Sequence, residues 1–299
     1  MTAAVDISYV IISYNDAARL PRALSSAALM SVRAGMNYEI WVVDNGSQDH
    51  TARLLADFGQ VLGDRLRVIS LGRNTGTTYS RNRALERVRG RLVCVMDSDA
   101  ELLDHGLGRI DELLSRFPQV GIAAPRILLP GGRVYDSAKR LPTLSDKLMK
   151  LPQIFLGAKP RNRDWYPDFP FERVRCVDTA ISCAWFFRRE LIDLVGPLDE
   201  RIFYAPEDVD WCLRAWKAGR AVVYYPHLRV LHHTRHISHK RPFSRTSRSH
   251  LWGMLYYLRK HGYWFSRRRV WERHIRALAR RLDPELARWE EGLRPGEES

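Results

Sequence analysis

Two aspartates separated by one residue are the part of this sequence best suited to chemistry. Asp97 and Asp99 follow directly on the run at residues 91–96, whose apolar side chains are typical of a buried strand. Carboxylate oxygens are preferred ligands of hard divalent cations such as Mg²⁺ and Mn²⁺, and a bound cation would in turn hold a diphosphate. The pair therefore predicts a cation site, and a solvated turn is the alternative that these residues alone leave open.

Alternating strands and helices position this pair. Four apolar runs predict strands, at residues 7–13, 39–43, 66–70 and 92–96, and the segments between them have helical spacing. This alternation predicts an α/β fold with a doubly wound, mostly parallel sheet flanked by helices. Polar clusters follow three of the strands, at residues 13–15, 44–45 and 97–99. Such sheets bind ligands at the carboxyl ends of their strands, so we expect these clusters to form one site.

A second acidic pair lies more than a hundred residues further along the chain. Glu207 and Asp208 follow Pro206, at the predicted start of a helix. A carboxylate in a cleft can take the proton of a hydroxyl nucleophile. Adjacent carboxylates can also split their pKa values, so the residues alone leave open which of the two acts as the base. Stabilisation of the helix N-terminus by acidic side chains is the alternative.

The net charge of this 299-residue chain is +14, and it is unevenly distributed. Residues 235–281 contain fourteen Lys or Arg side chains and one acidic side chain, with aromatic residues between them. We predict that residues 235–299 form a helical, basic and aromatic extension. Its composition favours contact with an anionic membrane surface through residues 235–281. The alternative is a helix that packs on the rest of the chain and keeps a solvated basic face.

Three further features of the sequence indicate the cellular compartment: its apolar runs, its N-terminus and its cysteines. No apolar run approaches the ~20 residues of a transmembrane helix, and the N-terminus does not read as a secretory leader. Scattered cysteines without metal-type spacing predict buried thiols in a reducing compartment; they are Cys94, Cys176, Cys183 and Cys212. We therefore expect a cytoplasmic protein, with a possible peripheral position on the inner face of the cell membrane.

An ordered set of short motifs resembles the family 2 glycosyltransferases of the GT-A fold. The matching pieces lie at residues 10–15, 42–49, 73–76, 80–82, 97–99 and 207–214 and at His232, and they span about 230 residues. The sequence at residues 198–203, followed by the Glu-Asp-Val-Asp at residues 207–210, is most similar to bacterial rhamnosyltransferase-like members.

This resemblance implies a domain organisation and a reaction. Residues 1–234 would form the GT-A catalytic domain, with a nucleotide-sugar half at 1–100 and an acceptor half at 101–234. The enzyme would be a metal-dependent, inverting transferase in polysaccharide or cell-envelope synthesis. It would move a sugar, such as rhamnose or another hexose, from a UDP- or dTDP-sugar to a hydroxyl of a glycan or lipid-linked acceptor.

The resemblance also implies residue roles. Asp97, Asp99 and His232 would hold Mn²⁺ or Mg²⁺, with the imidazole favouring Mn²⁺ mildly and His233 as the adjacent alternative. Asp208 would be the general base, ahead of Glu207. The donor would be bound by Ser13, Tyr14, Asn15, Asp44, Asn74, Gly76, Arg81, Asn82 and Asp97. Among these, Asp44 would accept a hydrogen bond from the imide of uracil or thymine, and Arg81 could equally be a solvated helix charge.

Two other functions compete with this interpretation. A sugar-phosphate nucleotidyltransferase also combines a doubly wound sheet with carboxylate-held metals, but it should carry a basic, Gly-rich loop after the first strand, where this chain has Tyr14 and Asn15. A nucleic-acid or anionic-surface binding protein would explain the basic extension but leaves the acidic pairs without a use and has no base-reading motif. We therefore expect no nucleic-acid partner.

Overall fold

The computed structural model describes residues 4–104, 106–149, 164–166, 169–233 and 245–293, with side chains of the last range described from residue 248. Eleven strands occur in these ranges: β1 Ile7–Ser13, β2 Tyr38–Asp44, β3 Leu66–Ser70, β4 Leu92–Asp97, β5 Ala100–Leu102, β6 Val120–Leu128, β7 Ala138–Lys139, β8 Arg175–Cys176, β9 Thr179–Ala180, β10 Ala184–Arg188 and β11 Ala221–His232. The four strands predicted in the first hundred residues are all present.

Ten α-helices occur in the same ranges: α1 Leu20–Arg33, α2 Thr51–Leu62, α3 Thr77–Leu85, α4 Leu107–Arg116, α5 Leu144–Leu148, α6 Glu190–Val195, α7 Glu207–Lys217, α8 Arg245–His261, α9 Arg268–His274 and α10 Arg276–Gly292. Helix α1 shows why these segments are helical, since Leu20, Leu24 and Ala27 recur at helical spacing and are fully buried. Pro21 lies in its first turn, where the missing N–H costs little.

A nine-stranded sheet organises the fold, with the order β3-β2-β1-β4-β10-β6-β11-β5 and β8 pairing with β11. Strands β3, β2, β1 and β4 are parallel. Strand β10 is antiparallel to β4 and β6, and β11 runs parallel to β6. Strands β7 and β9 form a separate small sheet. The predicted α/β class with a mostly parallel sheet is confirmed.

The basic extension packs back on the part of the chain that forms the sheet. Helix α8 buries Tyr257 and Leu258, and α10 buries Leu286 and Trp289. The indole N–H of Trp289 donates to Glu112 Oε1 on α4 at 3.1 Å. The described part of the extension therefore matches the alternative of a packed helix. The predicted boundary at residue 234 falls among residues 234–244, which lie outside the described ranges.

Two further expectations concern the compartment. All four cysteines are buried free thiols, as predicted. Within the described ranges, we find no helix with the length and apolar character needed to cross a membrane. Burial raises the pKa of the Cys94 and Cys183 thiols well above the ordinary value, so both are held in the neutral form that a buried thiol favours.

Leu286→Ala tests whether the extension shares the hydrophobic core that surrounds the sheet. Leu286 is fully buried, so truncation should lower the free energy of unfolding by roughly 2–5 kcal/mol. Val61→Ala removes an apolar side chain that is 82% exposed and should change it by less than about 0.5 kcal/mol. Urea unfolding of both variants provides the measurement. Equal midpoints for Leu286→Ala and the parent would contradict the packing described here.

Candidate active site

The carboxyl ends of the parallel strands bring three predicted site residues together. In the strand register, Ser13 pairs with Asp44, and the neighbouring Ile12 pairs with Asp97. The polar clusters predicted to converge thus lie at one edge of the sheet. This edge is where ligands of open α/β sheets bind, because strand ends and helix N-termini leave a crevice there.

Asp97, Asp99 and His232 form a cluster with the composition of a metal site. One ligand atom from each residue lies within 4.8 Å of the others. Strand pairing explains the proximity, since β11 ends at His232 directly opposite Ala100 of β5. The imidazole Nε2 lies 3.2 Å from Asp99 Oδ1 and 3.9 Å from Asp97 Oδ2. Two carboxylates and one imidazole fit a divalent cation such as Mn²⁺ or Mg²⁺.

The alternative histidine lies outside this cluster. His233 Nε2 is 3.1 Å from Glu101 Oε2 and 3.4 Å from an Arg22 nitrogen. By contrast, the buried Nδ1 of His232 has no hydrogen-bond partner among the described residues. His232 is therefore the histidine that the fold offers to a cation.

The pKa values in this cluster follow from burial and from opposite charge. Burial raises the pKa of Asp97, while Arg81 opposes the rise. Burial would also raise the pKa of Asp99, but the hydrogen bond and charge of His232, with the charge of Arg19, hold it below its ordinary value. For His232, burial alone would lower the pKa, yet the two aspartates raise it overall. The two carboxylates therefore stabilise a positive charge at this position.

Arg81 joins this cluster to the second acidic pair. Its side chain is 1% exposed, so the alternative of a solvated helix charge is wrong. The guanidinium donates to Asp97 Oδ1 at 2.7 Å, to Glu207 Oε1 at 3.1 Å and to Ser182 Oγ at 2.8 Å. A fourth bond runs to the Ser182 carbonyl oxygen at 3.1 Å, so both terminal nitrogens are engaged. The predicted contact of Arg81 with the donor stays a prediction.

Glu207 and Asp208 begin α7, as predicted from Pro206, and differ in their surroundings. Glu207 is buried and also accepts from Ser182 Oγ at 2.9 Å. Burial and the neighbouring charge of Asp208 raise the pKa of Glu207 to about 8. Asp208 is half-buried and accepts from the backbone N–H of Val209 at 2.8 Å. Burial raises its pKa too, so both groups are less acidic than exposed carboxylates.

The predicted donor-binding residues on the first two strand ends form a compact loop network. Asn15 adopts φ 51°, and its backbone N–H donates to Ser47 Oγ at 3.0 Å. Asp44 Oδ1 accepts from the Ser47 backbone N–H at 2.9 Å. Tyr14 is 48% exposed, and the buried Ser13 hydroxyl has no hydrogen-bond partner among the described residues. An unpartnered buried hydroxyl is a ready contact for a ligand.

The second part of this predicted set shapes the loop before α3. Asn74 Oδ1 accepts from the Gly76 N–H at 3.0 Å. Gly76 adopts φ 86°, and a Cβ there would overlap the Phe203 carbonyl oxygen, which is why glycine is required. Asn82 is buried and its amide pairs with Leu198, donating to the carbonyl at 2.9 Å and accepting from the N–H at 3.0 Å. Its geometry therefore favours a role in holding residues 198–200.

Several residues at the site were not predicted from the sequence. Arg19 lies 3.3 Å from Asp99 Oδ2, and the Tyr135 ring packs edge-on to His232 with centroids 6.4 Å apart. Lys139 lowers the pKa of Asp208 through its charge. Ser182 joins Arg81 to Glu207. None of these residues belongs to a cluster at a predicted strand end. Arg19 lies in the connection between β1 and α1, and long-range contacts bring the other three residues here.

The fold and this acidic edge define a class: the glycosyltransferases of the GT-A fold. The structure resembles GalNAc-T7 solved with UDP, GalNAc and Mn²⁺, with a TM-score of 0.62, 15% identity and coverage of 86% of this chain and 48% of that one. It also resembles the mannosyltransferase PcManGT of Pyrobaculum calidifontis, solved with GDP-Man and Mn²⁺. There the TM-score is 0.57 at 15% identity, over 87% of this chain and 65% of that one.

The sequence identifies the family within that class. Residues 8–196 match Glycosyl transferase family 2, and the chain belongs to this family. It is 30% identical over 277 residues to the N-acetylglucosaminyl-diphospho-decaprenol L-rhamnosyltransferase of Mycobacterium tuberculosis, covering 86% of this chain and 85% of the relative. The predicted family, its rhamnosyltransferase-like resemblance and the enzyme class are confirmed. The chain is a glycosyltransferase that uses a nucleotide-sugar donor. This family membership favours neither of the two alternatives, the nucleotidyltransferase and the nucleic-acid binding protein.

Glu207→Gln should flatten the pH dependence of stability. The pKa of Glu207 is about 8 in the folded chain against an ordinary 4.5, so between these values the folded state binds the extra proton. The resulting stabilisation is fully present below pH about 4.5 and is lost as pH rises through about 8. The free energy of unfolding, measured in urea, should therefore fall with pH more steeply in the parent than in Glu207→Gln. Exposed Glu291→Gln is the control, and equal slopes for Glu207→Gln and the parent would contradict this pKa.

Proposed function

We propose that this chain is an inverting, metal-dependent transferase that moves rhamnose or another hexose from a UDP- or dTDP-sugar to a hydroxyl of a lipid-linked glycan. The carrying observation is the convergence of Asp97, Asp99 and His232 within 4.8 Å. The mycobacterial relative, by its name, acts on a decaprenyl diphosphate sugar and transfers rhamnose. That name supports the choice of sugar and of acceptor class for this chain.

The donor is held by the strand-end network. Asp97, Asp99 and His232 would hold Mn²⁺ or Mg²⁺, which supplies the positive charge that stabilises a departing diphosphate. Asp44 accepts the imide hydrogen bond of uracil or thymine, as the family resemblance implies. Ser13, Tyr14 and Asn15 line the base and ribose, and the absence of a Cβ at Gly76 lets the chain come close to the nucleotide.

Asp208 activates the hydroxyl of the acceptor. As the acceptor oxygen bonds to the anomeric carbon, the bond from that carbon to the diphosphate breaks and the hydroxyl proton passes to the Asp208 carboxylate. This single displacement inverts the anomeric centre. Glu207 suits the role less well, because its pKa of about 8 keeps it largely protonated at neutral pH and it is bonded to Arg81 and Ser182.

A lipid-linked acceptor requires access to a membrane surface, and α8 offers apolar side chains for it. Leu251 and Trp252 are 59% and 68% exposed, and Phe265, just beyond α8, is 67% exposed. Aromatic side chains beside basic ones suit the headgroup region of anionic lipid. We infer peripheral contact of this surface with the inner face of the cell membrane.

Asp99→Ala tests the proposed reaction. The variant should lose about 100-fold or more of the transfer rate, because the cation can no longer be held against the diphosphate. It should also lose the rise in melting temperature that UDP- or dTDP-sugars with Mn²⁺ give the parent, and EDTA should have the same two effects on the parent. Asp57→Ala, an exposed aspartate on α2, is the control. Undiminished transfer by Asp99→Ala in EDTA would contradict the metal site, and stabilisation by GDP-sugars alone would contradict the role of Asp44.

Point variants test the membrane contact. A truncation near Arg235 is unsuitable, because it would also remove the packed helices α8 and α10. Trp252→Ser with Phe265→Ser should abolish most of the flotation with phosphatidylglycerol vesicles, since the exposed aromatic area is lost. Val32→Ser with Val61→Ser, two exposed valines, should float as the parent does. A parent chain that stays unbound would overturn the membrane contact while leaving the transferase function intact.

A further inference from the structure

Residues 198–206 lead directly into α7, and the proposed base Asp208 is the second residue of that helix. The position of this segment therefore sets the position of the base. Helix α3, on the nucleotide side, holds the segment by backbone and side-chain bonds. The Thr77 N–H donates to Phe203 O at 2.7 Å, and Thr78 Oγ1 donates to Ile202 O at 2.7 Å. Asn82 adds the two bonds to Leu198. One side of the segment is thereby fixed relative to the donor loop.

Helix α8 of the basic extension holds the same segment from another side. Gly253 lies so close to Ala205 that a Cβ at residue 253 would overlap the Ala205 carbonyl oxygen. Asp199 Oδ2 accepts from Tyr256 Oη at 2.8 Å and from Lys260 Nζ at 2.8 Å. The segment is therefore enclosed between α3 and α8.

Helix α8 also contacts α7 itself. Asp210, two residues after Asp208, is 1% exposed. Its Oδ1 lies 2.6 Å from Lys260 Nζ and 2.9 Å from His261 Nε2, and its Oδ2 lies 2.9 Å from Arg214 Nε. Arg214 is on α7 itself, so the two partners on α8, Lys260 and His261, are the ones that fix the orientation of α7 through this buried carboxylate.

We propose that α8 is a positioning element of the active site, with Gly253 and Lys260 as positioning residues that hold Asp208 toward the acceptor. The inference rests on the proposed role of Asp208. Neither residue touches substrate; they act through Ala205, Asp199 and Asp210. The basic extension is then required for transfer itself, apart from any contact with membrane.

Gly253→Ala tests this inference, because the added methyl group must displace either the Ala205 turn or α8. Misplacing a catalytic group by about 1 Å can cost about 100-fold in rate, so we expect kcat to fall at least about ten-fold. The dissociation constant of the nucleotide-sugar donor should stay within about two-fold, because Ser13, Asp44 and Asp97 of the proposed donor site lie on β1, β2 and β4, outside the displaced turn. Gly59→Ala, on α2 with open space around it, should leave both unchanged.

A second pair of variants keeps the test independent of folding defects. Lys260→Met removes the ammonium from Asp199 and Asp210 and should lower kcat several-fold, and Lys260→Arg should restore most of it. A parental kcat in Gly253→Ala and Lys260→Met, or an equal loss of kcat and donor affinity, would overturn the positioning role. Asp208→Asn in the same assay separates the two proposals, since parental kcat in that variant would overturn the assignment of the base.

Discussion

The structure depends on neutralising several carboxylates that the fold buries together. Asp97 is the last residue of β4, and Asp99 lies between β4 and β5. Glu207 and Asp208 begin α7, in the other half of the chain. Like charges in a shared low-dielectric site cannot all stay ionised without nearby cations. Arg81 meets this requirement because one guanidinium contacts both Asp97 and Glu207. Because Arg81 is almost fully buried, removing it would leave Asp97 without its cationic partner and Glu207 without a hydrogen-bond donor.

This bridge makes α3 the element that links the proposed donor site to the proposed base. The helix starts at the loop of Gly76, whose lack of a side chain admits the Phe203 carbonyl. The same helix carries Arg81 and Asn82, and the Asn82 amide donates to the Leu198 carbonyl oxygen. The Gly76 loop, the acidic cluster and the segment before Asp208 therefore share one rigid support. An enzyme that couples departure of a diphosphate to attack by a hydroxyl needs such fixed relative positions.

The parts that sequence predicts well are those determined locally. Apolar runs specify the four parallel strands, and polar residues at their ends identify Asp44, Asp97 and Asp99, because strand direction places such ends at one edge. The arrangement of the other half was not predictable in the same way. Insertion of β10 between β4 and β6 depends on pairing across more than sixty residues of chain. Arg81 read equally well as a surface charge, since helical position alone does not reveal the buried carboxylates it meets.

The basic extension shows how charge counts mislead when pairing is unknown. Lys260 is bonded to Asp199 and Asp210, Arg267 to Asp146, and Arg268 lies 2.9 Å from Glu272. Each such pair removes positive charge from the long-range field that would draw the chain to anionic lipid. The count of basic residues therefore overstates that attraction. The proposed membrane contact would then rely more on exposed apolar side chains, whose contribution salt does not screen.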